Sequence, residues 1–116
     1  MAEDVSGRTI RFEGCAGAQE SDECGTARFS LVEGARPPLQ VEVRITAQIE
    51  GILAREMGRR ELTQQEREVI LSVAGRRLIE ECLRERGRVD PVLLLTSQVF
   101  REPGAGKRLL RECGLI

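Results

Sequence analysis

The sequence predicts a two-layer α+β domain in which an antiparallel sheet packs against two main helices, in the order β-β-β-α-α-β-α. Three segments in the first half alternate apolar and polar residues, as strands do when one face meets a core and the other meets water. Two later segments repeat apolar residues at helical spacing. A length of 116 residues corresponds to one domain, so we expect residues 1–116 to form a single unit.

The three N-terminal strands are predicted in RTIRFE, ARFSLVE and LQVEVRI. GARPP, between the second and third strands, is a turn signal and favours an antiparallel meander. The first connection is longer and polar. In the register that we expect for the first pair, Ile10 faces Phe29. The same register places Cys15 opposite Cys24 at the mouth of the connection.

Two helices follow these strands. Thr46 is expected to cap a helix that runs to about Met57 and stops at Gly58. The second helix begins at TQQE, where Thr63 and Glu66 form a capping box. It is expected to end at about Arg86, with a glycine beyond it.

The second helix has apolar residues around more than half of its circumference. A helix of this kind is normally buried on two sides. The sheet supplies one side, and we expect the first helix or a second subunit to cover the other. The candidate interface residues on this helix are Val69, Val73, Ile79 and Leu83.

The segment VLLL after Pro91 is apolar at every position, which is typical of a strand covered on both faces. We therefore expect Val92–Leu95 to lie centrally in the sheet, beside one of the first three strands. A short helix from about Lys107 to Cys113 closes the chain.

Composition argues against several classes of protein. The chain has no His, which removes the usual general base and the commonest metal ligand. It has no Trp or Tyr, and its three Phe are assigned to the core, so base stacking is not expected. The net charge of −1 gives no bulk attraction to nucleic acid. The N-terminus lacks an apolar signal region, and the longest apolar run is PVLLL, so we expect a cytoplasmic protein without a membrane span.

The segment PGAGK near the C-terminus resembles part of a phosphate-binding loop. Such a loop needs a first glycine, which is Arg101 here, and a hydroxyl residue after the lysine, which is Arg108. We therefore predict a Pro-Gly turn into a basic helix and no nucleotide or other cofactor. Any anion contact is expected at Lys107, Arg108 and Arg111.

The four cysteines allow three interpretations. Cys15 and Cys24 are a candidate redox pair because of the register above, and the alternatives are ordinary thiols or a zinc site formed by all four cysteines. Close C-x-x-C pairs, which structural zinc sites favour, do not occur. Cys82 lies in an apolar stretch and is expected to be a core residue.

Residues 39–112 resemble the C-terminal cytoplasmic domain of flagellar and type III export-gate proteins. The resemblance rests on LQVEVRITAQIEGILAREM, the long second helix and a P-V-L-L-x-S-like strand at Pro91–Ser97 that precedes an Arg-rich helix. The family usually has Asp-Pro after the first strand, where this chain has Thr46-Ala47. The resemblance implies a docking surface for partner proteins and no catalysis.

The sequence therefore predicts a non-enzymatic protein–protein interaction module that forms a homodimer through its second helix. One alternative is a docking domain for secretion partners, as the export-gate resemblance implies. The other is a small nucleic-acid-binding regulator that uses the basic C-terminal tail.

Overall fold

The computed structural model describes residues 3–5, 8–16, 23–95 and 100–116. Strands β1 (Glu3–Val5), β2 (Arg8–Ala16), β3 (Glu23–Glu33) and β4 (Leu39–Thr46) come first. Helices α1 (Ala47–Glu56) and α2 (Gln64–Arg86) follow, and the chain ends with β5 (Val92–Leu95) and α3 (Ala105–Glu112). The predicted order β-β-β-α-α-β-α is confirmed from β2 onward. The short strand β1, which hairpins onto β2, is an element that the sequence pattern did not predict.

The strands form one sheet in the order β1-β2-β3-β4-β5. The pairings from β2 to β4 are antiparallel, as predicted, and β1 pairs antiparallel to β2. Strand β5 pairs parallel to β4, so the sheet is mixed. The prediction that Val92–Leu95 is a central strand is wrong, because β5 lies at the end of the sheet that the described strands form. It does lie beside the third predicted strand, β4. Its four apolar residues alternate between exposed and buried positions in spite of their uniform chemistry.

One face of the sheet supplies the core. Alternate residues of each strand lie on it, and α2 packs against them. These residues are buried in β2, β3, β4 and β5 as follows: Ile10, Ala27, Phe29, Leu31, Val41, Val43, Ile45, Leu93 and Leu95. The prediction that the helices and the sheet form two layers is not tested by this packing and stays a prediction.

The helix boundaries follow the predicted capping residues. The Thr46 hydroxyl accepts a hydrogen bond from the Ile49 amide at the start of α1. At the start of α2, Thr63 and Glu66 form the reciprocal capping box. Gly87 ends α2 in the left-handed conformation, with φ 71°, which favours glycine. The last helix begins at Ala105, two residues earlier than predicted.

A partly buried ion pair joins α1 to the start of α2. Arg67 lies 2.5 Å from the Glu50 carboxylate, which also accepts a hydrogen bond from the Leu62 amide at 3.3 Å. Helix α3 then packs against both α1 and α2. Its Gly106 lies against Leu53 of α1, and its Glu112 pairs with Arg77 of α2.

Helix α2 approaches the sheet most closely at Gly75. A Cβ atom at this position would lie 2.7 Å from Phe29 Cε1 and 3.3 Å from Val43 Cγ2. Both side chains are fully buried and have no free space to move into. The absence of a side chain at Gly75 therefore sets the distance between α2 and the sheet.

We predict that Gly75→Ala destabilises the protein, although alanine is normally the better helix residue. The added methyl group overpacks the core at a cost of about 1–3 kcal/mol, which outweighs the ~0.5–1 kcal/mol that Gly→Ala contributes within a helix. Urea unfolding monitored by circular dichroism measures the difference. Gly51→Ala in α1 is the matched control, because its Cβ would meet only Arg55 Nη2 at 3.8 Å. We expect Gly51→Ala to raise the free energy of unfolding. If Gly75→Ala raised it as well, or if both substitutions lowered it, the packing described here would be contradicted.

Candidate protein-binding groove

The predicted interface on α2 is divided by the fold. Ile79 and Leu83 are buried in the core, so their assignment to an intermolecular interface is wrong. Val69 and Val73 are only partly buried and lie on the flank of α2. The prediction failed for the first pair because the chain's own sheet and α3 cover most of the apolar circumference of α2.

The flank of α2 forms one wall of a groove, and β2 forms the other. The groove has a volume of about 660 Å³. Its lining combines two apolar side chains with a polar and charged rim. The lining residues are Phe12, Ser72, Val73, Arg76, Arg77, Glu80, Glu81 and Arg84. We call this surface the β2–α2 groove.

Phe12 is the largest apolar side chain in the β2–α2 groove. It lies opposite Phe29 in the sheet, with ring centroids 5.5 Å apart and planes at 59°. Phe29 is fully buried, whereas Phe12 is 42% exposed. The assignment of this phenylalanine to the core is therefore wrong. The physical reason is its position at the margin of the sheet.

Within the described residues, β1 is much shorter than β2. Strand β1 pairs with Arg8, Thr9 and Ile10 only. Within the described part of the chain, residues 11–16 of β2 have a strand neighbour on the β3 side alone. Among the described residues, their backbone is therefore an edge of the sheet, and it runs beside Phe12 and the flank of α2.

A β-bulge interrupts this edge. The register with β3 shifts between Phe12 and Gly14, and Gly14 has φ 126°, where an L side chain would be strained. Without the bulge, alternation would place Phe12 and Cys15 on opposite faces. With it, Cys15 lies opposite Ala27, on the same face as Phe12.

The predicted register of the first hairpin is therefore wrong. Ile10 pairs with Leu31 rather than Phe29, and Cys15 pairs with Ala27 rather than Cys24. The strands also extend further into the predicted loop than the sequence pattern indicated. The register argument for a Cys15–Cys24 redox pair is thus lost, and the side chain of Cys24 lies outside the described residues.

Three cysteines have free thiols, and burial disfavours the thiolate form of Cys15 and Cys113. Burial raises the pKa of the Cys15 thiol, and the negative charge of Glu68 raises it further. Burial also raises the pKa of Cys113, against the opposing effect of Arg77. Cys82 is a buried core residue, as predicted. Within residues 3–5, 8–16, 23–95 and 100–116, no group of three potential ligands is arranged to hold a metal ion.

The predicted anion contacts lie on α3 and line a shallow surface. Lys107 lies 4.0 Å from Glu56, and Arg108 lies 3.0 Å from Glu102. Of these three residues, Arg111 is the one that makes no ion pair with a described residue. PGAGK is confirmed as a turn into this helix, with Gly104 in the left-handed conformation at its start. The basic residues are therefore close together, but carboxylates partly neutralise them.

The charges of the β2–α2 groove are unevenly paired. Arg77 pairs with Glu112, and Arg84 lies 3.2 Å from Glu80. Arg76 instead donates a hydrogen bond from Nη1 to the Ile10 carbonyl oxygen at 3.2 Å, a neutral partner. Among the described residues, no carboxylate pairs with Arg76. The groove therefore has a guanidinium group with no described carboxylate partner beside Phe12, and Glu81 is the carboxylate of the lining that has no described ion pair.

Comparison of the chain with protein-family models, curated proteins and solved structures gave no match. The resemblance of residues 39–112 to export-gate domains thus stays a prediction. None of the helices in the described part of the chain combines the length and the apolar character that crossing a bilayer requires.

We predict that Cys15 reacts slowly with iodoacetamide in the folded protein. The thiolate is the reactive form, and a raised pKa lowers its fraction at any given pH below that pKa. The pH profile of alkylation in a variant that retains Cys15 alone should therefore lie at higher pH than the profile of the same variant in urea. Glu68→Gln should move the profile of the folded protein only part of the way towards lower pH, because burial contributes more than Glu68 to the raised pKa of Cys15. A folded profile at or below that of the unfolded chain would contradict this description.

Proposed function

We propose that this protein is a non-enzymatic protein–protein interaction module that binds an extended segment of a partner protein in the β2–α2 groove. The observation that carries the proposal is the edge of β2 at residues 11–16, which has no described strand neighbour on its outer side and lies directly beside the exposed ring of Phe12. We place this activity in the cytoplasm, as the sequence predicts.

A free strand edge favours a partner in the extended conformation. The unpaired N–H and C=O groups of an edge strand form hydrogen bonds with an added strand, and neighbouring pockets select its side chains. Within the described residues, this edge is six residues long, from Arg11 to Ala16. The bulge at Gly14 divides it, so we expect the first half, next to Phe12, to provide most of the backbone pairing.

The side chains of the groove define the chemistry of the partner. Phe12 and Val73 provide an apolar contact, which favours a large apolar residue in the bound segment. Arg76 has its only described hydrogen bond with a neutral carbonyl group, so it can pair with a carboxylate from outside. The favoured partner is therefore an extended peptide in which an apolar residue lies close to an acidic one.

The nucleic-acid alternative has less support. Phosphate binding needs several cations that are free to replace counterions. Lys107 and Arg108 each have a carboxylate within ion-pair distance. The export-gate alternative is compatible with this proposal, since it too requires a docking surface for partner proteins.

Selection of a random peptide library on the immobilised protein tests the proposal. We expect the enriched peptides to combine a large apolar residue with a nearby Asp or Glu. Phe12→Ser should weaken their binding about tenfold or more, because an exposed aromatic contact contributes roughly 1.5 kcal/mol or more. Leu39→Ser is the matched control, since Leu39 is 44% exposed and lies outside the groove. Circular dichroism confirms that both variants are folded.

Amide hydrogen exchange distinguishes strand addition from other modes of binding. A bound strand should slow exchange at β2 amides between Arg11 and Ala16, while the amides of β4 are unchanged. Selected peptides that bind Phe12→Ser and the parent protein equally well would refute the proposed site. Protection confined to α2 or α3 would refute the proposed mode.

A further inference from the structure

The edge of β2 in the β2–α2 groove is closed at one end. Strand β1 pairs with β2 from Arg8 to Ile10, and the edge without a described strand neighbour begins at the next residue, Arg11. A strand added at residues 11–16 therefore meets β1 at this point. Because two strands cannot pair with the same positions, the added strand must end or turn away from the sheet at Arg11.

Arg76 lies at this closed end. Its Nη1 atom donates a hydrogen bond to the Ile10 carbonyl oxygen at 3.2 Å, and Ile10 is the last residue of β2 that β1 covers. A guanidinium group has several N–H donors, so this contact leaves others for a ligand. Glu80, one turn along α2, lies 3.2 Å from Arg84. Since no carboxylate among the described residues pairs with Arg76, its charge faces the point where a bound strand must end.

The carboxylates without a described ion pair lie away from this end of the edge. Glu81, in the lining of the groove, follows Arg76 by five residues, which places it roughly 140° further around the helix. Glu68 lies near the other end, where its negative charge raises the pKa of the Cys15 thiol. The edge therefore has a cationic side chain beside Ile10 and an anionic one beside Cys15.

We infer that the β2–α2 groove binds the free C-terminus of a partner chain, with the terminal carboxylate on Arg76. A strand antiparallel to β2 runs from the Cys15 end towards Arg11 and finishes beside Arg76. Its terminal carboxylate then forms charge-assisted hydrogen bonds with the guanidinium group, and no further residue has to pass β1. A parallel strand would instead bring its amino terminus to Arg76, where like charges repel. The charge at the closed end thus selects both the orientation and the terminus.

The position of Phe12 specifies the residue before the C-terminus. Directly opposed residues of an antiparallel pair point to the same face of the sheet. If the last residue of the ligand lies opposite Arg11, the residue before it lies opposite Phe12 and shares the face that α2 flanks. We therefore expect a large apolar residue at the penultimate position. This inference rests on the proposed function and specifies its ligand, since the acidic group is here the end of the chain.

Two synthetic libraries of acetylated hexapeptides test the inference. The libraries have the same random sequences, but one ends in free carboxylates and the other in amides, and the bound peptides are identified by mass spectrometry. We expect the ligands of the first library to have a large apolar penultimate residue. Each resynthesised ligand should bind about tenfold or more tightly than its amide, because a hydrogen-bonded charge is lost. Extension of the ligand by two glycines should weaken binding similarly, and calorimetry measures each Kd.

Arg76→Gln tests the assignment of the carboxylate. The variant should bind the acid and amide forms of a ligand with equal affinity, because glutamine keeps a donor for Ile10 but removes the charge. Arg55→Gln is the matched control and should preserve the preference for the acid. Arg55 also donates to a backbone carbonyl, that of Gly51 at 3.3 Å, and it lies outside the groove. Circular dichroism checks that both variants are folded.

The outcomes separate this inference from the proposed function. Ligands that Phe12→Ser weakens, but whose acid, amide and extended forms bind the parent protein equally, would overturn the inference and leave the β2–α2 groove as the binding site. A preference for the acid that persists in Arg76→Gln would overturn the role of Arg76. Ligands that Phe12→Ser does not weaken, or the absence of ligands in both libraries, would overturn the proposed function together with the inference.

Discussion

The close contact between Gly75 and the ring of Phe29 is the constraint on which the rest of the fold depends. It allows α2 to lie along β3 with its axis close to the sheet. The start of the helix then lies over Gly25, where Arg67 and Leu71 are the nearest side chains. At the other end, Arg8 donates a hydrogen bond to the Gly87 carbonyl at 2.6 Å. The helix is thus held at its start, its middle and its end.

This position of α2 determines what remains open at the margin of the sheet. Phe29 fills the space below the helix, so Phe12, its neighbour on β2, is left beside the helix rather than beneath it. Val73 and Arg76 lie on the flank that faces Phe12. The far side of α2 is covered by α3, which explains why an unusually apolar helix has so little exposed apolar surface.

The sequence predicted the parts of the fold that local chemistry determines. Thr46, Thr63 and Gly87 mark helix ends through hydrogen bonds and backbone preferences that act within a few residues. Val41, Val43 and Ile45 alternate strictly, and their burial follows that alternation. These features depend little on what the rest of the chain does.

The parts that the sequence did not predict depend on contacts between distant elements. An unbroken apolar run at Val92–Leu95 fits a strand buried on both faces, but nothing local shows that it lies at the end of the sheet formed by the described strands. The hairpin register depends on a bulge at Gly14 that an alternating pattern cannot reveal. The apolar pattern around Ile79 and Leu83 is the same whether these residues form a core or an exposed interface. Only the packing of α2 against the rest of the chain shows that they belong to the core. The candidate groove was missed for the same reason, because the exposure of Phe12 depends on how α2 packs beside it.

The most direct test of this account is a nuclear Overhauser measurement between the Hα protons of Gly75 and the ring protons of Phe29. The account predicts strong cross-peaks and a ring-current shift of at least one Gly75 Hα resonance, because the ring lies against the backbone at that position. Absence of both signals in a folded protein would mean that α2 lies further from the sheet. The β2–α2 groove, and the function proposed for it, would then have no structural basis.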